Sequence, residues 1–153
     1  MKIGLASDHR GYKLKEFLKE ALSKLNYDTV DFGTNSEEST DYPDYAFDLG
    51  EAVVSKQVDF GVAICGSGIG ISIACNKVKG IRCAKVVNKE EAQVTRIDNN
   101  SNIVAFSEKI TEEAAIEIVK TFINTSASEE EKHVRRVNKI ISYEERNSWQ
   151  QNL

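Results

Sequence analysis

The sequence has no long apolar run and no large excess of charge of one sign. Its apolar stretches end after a few residues, far short of the ~20 that a membrane helix needs. Its 20 Lys and Arg against 24 Asp and Glu give a net charge of −4, which disfavours broad binding to nucleic acid or to an anionic membrane. The first residues lead into Asp8 and His9 without an apolar signal region, so we expect a cytoplasmic protein.

Cysteine is scarce, with three residues in the chain. An odd number of cysteines without a secretory signal favours reduced thiols over a disulfide framework. Cys75 and Cys83 lack metal-ligand spacing relative to Cys65, so we expect them to be packed thiols. The sequence therefore predicts no metal site.

Proline occurs once, at Pro43, where it fits the first turn of a helix that runs to about Lys56. A chain of 153 residues with 41% hydrophobic residues has little room for two full domains, so residues 1–153 are predicted to form one domain. The polar stretch 147–153 contains Trp149. We expect this tail either to fray or to anchor on a partner subunit.

Strand-like and helix-like segments alternate along the chain. Short apolar runs predict five strands, at residues 2–7, 27–32, 58–64, 81–87 and 102–106. Helical spacing and composition predict helices at residues 14–25, 43–56, 70–77, 88–98 and 111–124. This alternation predicts an α/β fold, a three-layer α/β/α domain with a five-stranded parallel Rossmann-like sheet. Ligands of such sheets bind beyond the carboxyl ends of the strands.

A capping-box pattern precedes a predicted last helix. Ser128 and Glu131 have the required spacing, so we expect the Ser128 side chain to accept from the Glu131 amide while the Glu131 carboxylate reaches back. The helix that follows carries an apolar face formed by Val134, Val137 and Ile141.

Glycine is also scarce, yet three of the nine glycines lie within five residues. The spacing of Gly66, Gly68 and Gly70 matches neither a dinucleotide fingerprint nor a nucleophile elbow, and no Walker lysine follows. What remains is a thiol, Cys65, at a strand end before a loop whose amides can bind an anion. A thiol in that place can act as a base or nucleophile. On the residues alone, a buried thiol beside a tight turn explains the pattern equally well.

The segment that begins at Cys65, CGSGIGISIACNK, strongly resembles type B ribose-5-phosphate isomerase, of the family that includes galactose-6-phosphate and allose-6-phosphate isomerases. Further blocks of that family appear in order at residues 7–11, 41–45, 80–82, 99–102 and 132–137. The resemblance implies an isomerase without cofactor or metal that interconverts an aldose phosphate and a ketose phosphate through an enediolate. Ribose 5-phosphate to ribulose 5-phosphate is the leading expectation. The alternatives are allose 6-phosphate or galactose 6-phosphate as substrate, and a non-catalytic sugar-phosphate-binding protein.

The resemblance also implies residue roles. Cys65 would be the base, Ser67 would assist proton transfer at the sugar oxygens, and position 98 would act in ring opening. The substrate-binding set comprises Asp8, His9, Tyr42, Gly66, Gly68, Gly70 and Asn99. The phosphate-binding set comprises His9, Lys109, Lys132 and Arg136. On the residues alone, Asp8 and His9 also fit a helix cap, and Tyr42 also fits an aromatic staple at a helix start.

Three positions depart from the family pattern. Lys109 and Lys132 stand where relatives usually have arginine, which keeps the charge and loses the two-pronged donor. Asp98 stands where relatives commonly have a histidine that is held to open the furanose ring. An exposed aspartate is ionised at neutral pH and is a poor general acid, so we expect impaired ring opening. Three explanations stay open: His9 assists, Asp98 acts in a site that keeps it protonated, or the preferred substrate is largely open-chain.

The resemblance finally implies an assembly. Members of the family are homodimers, sometimes paired into tetramers, with active sites shared between subunits. By that resemblance, Asp98, Asn99 and Lys109 are expected to reach into the pocket of the partner.

Overall fold

The computed structural model describes residues 1–148 of the chain, and it confirms the three-layer α/β/α fold. The five strands are β1 (Lys2–Ser7), β2 (Asp28–Asp31), β3 (Phe60–Cys65), β4 (Cys83–Lys85) and β5 (Ile103–Ser107). The six helices are α1 (Tyr12–Lys24), α2 (Tyr42–Val54), α3 (Ile69–Cys75), α4 (Lys89–Asn99), α5 (Glu112–Asn124) and α6 (Glu131–Ser148).

The five strands form one all-parallel sheet in the order β2-β1-β3-β5-β4. The chain moves from β1 outward to β2 and then returns to the other side of β1, so the order reverses between β1 and β3. Ser7 pairs with Ile64, and Cys65 pairs with Ser107. The carboxyl ends of β1, β3 and β5 therefore lie side by side at the point where open α/β sheets bind ligands.

Each face of the sheet carries its own buried core. Successive residues of β3 point to opposite faces, so Val62 and Ile64 lie in a core with Leu18 of α1 and Phe122 of α5. The core on the other face is built by residues of α2 and α3 together with the second set of strand side chains, Ala6, Ala63, Cys65, Ile103 and Ala105. Cys65 thus belongs to the layer formed by α2 and α3.

Side-chain caps explain where two of the helices begin. The Asn88 side chain accepts from the amide of Glu91 at 2.9 Å at the start of α4. Thr111 accepts from the amide of Ala114 at 3.2 Å at the start of α5. Both pairs satisfy amides that the first helical turn leaves without an internal partner.

A fully buried lysine ties β2 to α1. The Nζ atom of Lys15 donates to both carboxylate oxygens of Asp31 at 2.8 Å and to Glu16 at 2.9 Å. Burial acts to raise the pKa of Asp31, but hydrogen bonds from Lys15, the Gly33 amide and Lys19 together lower it. The buried charge is therefore paired, and the segment that leaves β2 is fixed near the carboxyl edge.

The predicted capping box before α6 is wrong. Ser128 Oγ accepts from the amide of Glu130 at 3.0 Å, and the Glu131 carboxylate forms an ion pair with Arg135, one turn further along α6. The helix consequently begins at Glu131, later than the capping box predicts.

Two further boundaries differ from the sequence predictions. The fourth strand is shorter than 81–87 and begins at Cys83, because the side chain of Asn102 accepts from the amide of Arg82 at 2.9 Å in place of a backbone carbonyl. The Asn76 side chain bonds both the amide and the carbonyl of Cys83, the first residue of β4, at 2.8 Å. Helix α6 continues to Ser148, two residues into the predicted tail, and Trp149 lies outside the described residues.

Across residues 1–148, no helix combines the length and the apolar character that crossing a membrane requires.

Candidate active site at the carboxyl edge of the sheet

The turn after β1 is held by Asp8 and packed against β3. Asp8 is buried, and its Oδ1 accepts from the amide of Gly11 at 3.1 Å. A side chain at Gly11 would place its Cβ 2.7 Å from the carbonyl oxygen of Ile64, so only glycine fits there. Asp8 therefore holds the turn that leads into α1, whose N-cap residue Gly11 has no side-chain cap, and its carboxylate lies at the carboxyl edge of the sheet.

The loop after β3 directs a backbone amide at the Cys65 thiol. Cys65 is buried, and its Sγ accepts from the amide of Gly68 at 3.2 Å. Gly68 has φ +76°, and an added Cβ would lie 2.6 Å from the backbone of Phe106. A backbone N–H that points at sulfur stabilises negative charge there. The glycine thus makes a tight turn and also positions a donor on the thiol.

Ser67 and Gly66 complete the outer part of this loop. Ser67 is exposed, and its Oγ accepts from the amide of Ile69 at 3.1 Å, at the start of α3. The carbonyl of Gly66 accepts from Ser107 Oγ at 2.7 Å, which links the loop to the end of β5. The exposed hydroxyl of Ser67 therefore lies on the same loop as the buried thiol.

Tyr42 lies across the same loop. Its ring is so close to Gly70 that a Cβ there would lie 2.6 Å from Cζ and 2.9 Å from the phenolic oxygen. Tyr42 is the first residue of α2, and Gly70 belongs to α3. The ring therefore packs on a neighbouring helix beside the thiol loop, and its contact with Gly70 is not a staple within α2.

A charged cleft of about 390 Å³ lies beside these loops, lined by His9, Arg10, Lys13, Leu14, Glu37 and Glu108. Arg10 pairs with Glu108 across the cleft, and this hydrogen bond and attraction raise the pKa of Arg10. Lys13 pairs with Glu37 at 3.2 Å. Of the residues that line this cleft, His9 is the one that the sequence identifies as a candidate. Arg10 was missed, although it lies in the 7–11 block of the family pattern.

Lys109 follows Glu108 at the carboxyl end of β5. Its amide donates to Ser107 Oγ at 3.0 Å, and the Glu108 amide donates to the carbonyl of Cys65 at 2.9 Å. The backbone of Lys109 thus lies at the same edge of the sheet as Cys65 of the same chain. Within one chain, the backbone of Lys109 lies apart from Asp98 and Asn99, with which the resemblance groups it in the pocket of the partner.

The remaining candidates lie at the opposite, amino edge of the sheet. Helix α4 leaves the carboxyl edge after β4, and its 11 residues span about 16 Å on the way back. At its end, the carbonyls of Asn99 and Asn100 accept from the guanidinium of Arg82, just before β4, at 3.0 and 2.8 Å. Asp98 Oδ1 lies 3.7 Å from His133 Nε2, which brings the start of α6 to the same place.

Helix α6 carries the other basic candidates of the amino edge. Lys132 and Arg136 lie four residues apart on this helix, and both are exposed. Residues this far apart share one helical face, so their cations can converge on one anion. A single chain therefore divides the candidate residues into a carboxyl-edge group and an amino-edge group.

A buried arginine holds the turn after α4. Arg96 lies over the rings of Phe60 and Phe122, 4.9 and 5.6 Å from the two ring centres. Its guanidinium donates to the carbonyls of Ser101 at 2.6 Å and Thr125 at 3.0 Å, and burial lowers its pKa. These contacts fix the chain that carries Asp98 and Asn99 against the sheet.

The other two thiols lie outside the loop that follows β3. Cys75 and Cys83 face each other, and a hydrogen bond with Cys75 together with burial raises the pKa of the Cys83 thiol well above its ordinary value. Both are free thiols. Among residues 1–148, no three His, Cys, Asp or Glu side chains are grouped as a metal site requires.

Fold and site together define a class of α/β proteins in which a buried thiol and an exposed hydroxyl, each accepting from a loop amide, lie at the carboxyl edge of a parallel sheet. Residues 3–140 match the family model described as Ribose/Galactose Isomerase. The chain therefore belongs to the ribose/galactose isomerase family, and it is an isomerase.

Individual relatives agree with this family. The chain is 44% identical to "Putative sugar phosphate isomerase YwlF" of Bacillus subtilis (strain 168), over 96% of this chain and 99% of that protein. It is 36% identical to ribose-5-phosphate isomerase B of Escherichia coli (strain K12), over 95% of this chain and 97% of that protein. The structure of Clostridium thermocellum ribose-5-phosphate isomerase B superposes with a TM-score of 0.92 at 43% identity, covering 96% and 99% of the two chains.

The glycine loop makes the first testable prediction. Gly68→Ala forces an L-residue to a positive φ and drives its Cβ into the backbone of Phe106, so the free energy of unfolding should fall by about 1–3 kcal/mol. Gly66→Ala is the matched control, because an added Cβ there meets nothing closer than 3.9 Å. Urea unfolding of both variants measures the difference, and equal stabilities would contradict the assigned strain.

Proposed function

We propose that the protein interconverts ribose 5-phosphate and ribulose 5-phosphate. The observation that carries the proposal is the contact between Cys65 Sγ and the Gly68 amide at the carboxyl edge, in a chain of this isomerase family. A base beside fixed backbone donors is what proton transfer through an enediolate needs, since the negative oxygen forms only during the reaction.

In the proposed reaction, the Cys65 thiolate removes the proton from C2 of the open-chain aldose. Negative charge passes to the oxygen on C1, where amides of the loop from Gly66 to Gly70 donate to it. The thiol then returns its proton to C1, while Ser67 transfers the proton of the C2 hydroxyl to the oxygen on C1. The product is the 2-ketose, and no proton or electron is left over.

A second copy of the chain completes the proposed site. The carboxyl-edge group and the amino-edge group cannot meet within one chain, because the length of α4 separates them. In a homodimer, the partner supplies the amino-edge residues Asp98, Asn99, Lys132 and Arg136, whereas Lys109 acts in the pocket of its own chain. Ile69 and Ile73 on α3 are more than half exposed, which supports a contact surface beside the thiol loop.

The substrate phosphate is bound by cations from both groups in this proposal. His9 and Lys109 approach it from the carboxyl edge, and Lys132 and Arg136 approach it from α6 of the partner. Asp8 and Tyr42 bind the sugar from the thiol side, and Asn99 binds it from the partner. Arg10 adds a guanidinium at the mouth of the cleft, where its side chain lies beside Gly66.

Removing the proposed base tests the reaction directly. Cys65→Ala should lower kcat for ketose formation from ribose 5-phosphate by about 10²–10⁴-fold, the usual contribution of a positioned base. Cys83→Ala removes a thiol that lies outside the Cys65 loop and is the matched control. Absence of ketose from five- and six-carbon aldose phosphates with the unaltered protein would contradict the isomerase proposal, and full activity of Cys65→Ala would reassign the base.

The shared site makes a complementation prediction. Cys65→Ala mixed with Arg136→Ala, which removes a phosphate ligand of the amino-edge group, should recover about a quarter of the activity, because half of randomly mixed dimers are heterodimers with one intact site. Cys65→Ala mixed with Ser67→Ala should recover none, since both residues belong to the carboxyl-edge group. Equal results from the two mixtures, measured after subunit exchange, would rule out the proposed division.

Position 98 makes a prediction about ring opening. His133 supplies an imidazole beside the Asp98 carboxylate, 3.7 Å away, but the residue that would face the sugar is an aspartate where relatives commonly have a histidine. Asp98→His should raise turnover of a furanose substrate by about tenfold or more, because it adds a group that exchanges protons near neutral pH. Unchanged turnover, with Asp98→Asn measured in parallel, would show that Asp98 is no handicap.

A further inference from the structure

The loop over residues 34–41 is tied to the carboxyl edge at both ends. At its start, the Thr34 amide donates to the carbonyl of Ser7 at 2.7 Å. At its other end, the Thr40 amide donates to Nδ1 of His9 at 3.2 Å, and the Thr40 hydroxyl lies 2.8 Å from the Tyr45 hydroxyl. The loop therefore reaches back to a side chain of the candidate site.

The contact between Thr40 and His9 restricts where the imidazole carries its proton. A backbone N–H can only donate, so Nδ1 must present a lone pair to it. A neutral imidazole has one donor and one acceptor nitrogen, and the proton must then lie on Nε2. A doubly protonated ring has no acceptor, so it cannot make this bond.

The surroundings of His9 determine what an Nε2–H donor can reach. His9 is partly exposed and lines the cleft of about 390 Å³. The charged groups of that cleft are two cations, Arg10 and Lys13, and their partners Glu108 and Glu37. A donor nitrogen on the wall of such a cleft suits an oxygen acceptor, such as a phosphate oxygen of the substrate.

We propose that the Thr40 backbone amide is a positioning group that fixes His9 as the Nε2–H tautomer, so that His9 donates to a substrate oxygen. The identity of that acceptor rests on the proposed isomerase function, whereas the tautomer rests on the Thr40 contact alone. With Nδ1 occupied and Nε2 protonated, His9 cannot also accept a proton from the sugar. Opening of the furanose ring must then draw its base from another group.

Nitrogen NMR of the imidazole rings tests the tautomer. The chain has two histidines, so spectra of ¹⁵N-labelled protein at about pH 8, above the ordinary pKa of histidine, show two ring systems, and His133→Gln assigns them. His9 should show an unprotonated Nδ1 and a protonated Nε2. A protonated Nδ1, or shifts averaged between the two neutral forms, would overturn the proposal.

Two substitutions at Thr40 distinguish the role of its backbone amide from the role of its side chain. Thr40→Pro deletes the N–H, and Thr40→Ala keeps it while removing the hydroxyl. His9 should keep its single tautomer in Thr40→Ala and lose it in Thr40→Pro, with kcat/KM about tenfold lower in the proline variant than in the alanine variant. A single tautomer retained in Thr40→Pro would overturn the proposal.

Failure of the tautomer proposal and failure of the proposed isomerase function can be distinguished. If the proline variant does not fold, as circular dichroism would show, the spectra of the unaltered protein and of Thr40→Ala still decide the tautomer. If no sugar phosphate is isomerised, the proposed function fails, and the NMR result stands or falls independently. Inorganic phosphate added to the unaltered protein should shift the Nε2 resonance of His9, and an unmoved resonance would contradict donation into the cleft.

Discussion

In-register parallel pairing of β1, β3 and β5 is the constraint on which the rest of the structure depends. It brings the strand ends Ser7, Cys65 and Ser107 to adjacent positions, so the loops that follow share one edge. Gly11 and Gly68 then allow those loops to lie directly against neighbouring backbone. A larger residue at either position would separate the loops, and the thiol, the carboxylate and the imidazole would no longer surround one region.

Much of the architecture could be predicted from the sequence, because short apolar runs and helical spacing report local structure, and each of the five strands overlaps the run that predicts it. The errors arise where a side chain replaces a backbone partner. The Asn102 side chain accepts from the amide of Arg82, just before β4, and Ser128 accepts from the amide of Glu130 in place of the amide of Glu131. Whether a side chain takes the place of a backbone partner depends on how segments distant in the sequence pack together. A local sequence pattern does not report that packing.

The sequence indicates which residues are candidates for the site better than it indicates how they are arranged in space. The glycine loop and the Asp8-His9 turn are continuous in sequence, so the family pattern identifies them. The Arg10 contact with Glu108 spans 98 positions, and the His9 contact with Thr40 spans 31, so neither leaves a local signal. The edge of the sheet at which Lys109 lies likewise follows from strand direction and not from proximity in the sequence.

The Asn76 clamp has a consequence for how copies of the chain can associate. A strand at the border of a sheet normally offers free amides and carbonyls, and another polypeptide can add itself there. At Cys83 both backbone groups are already occupied by the amide side chain of Asn76. A second subunit therefore cannot add a strand to β4 by bonding the backbone of that residue.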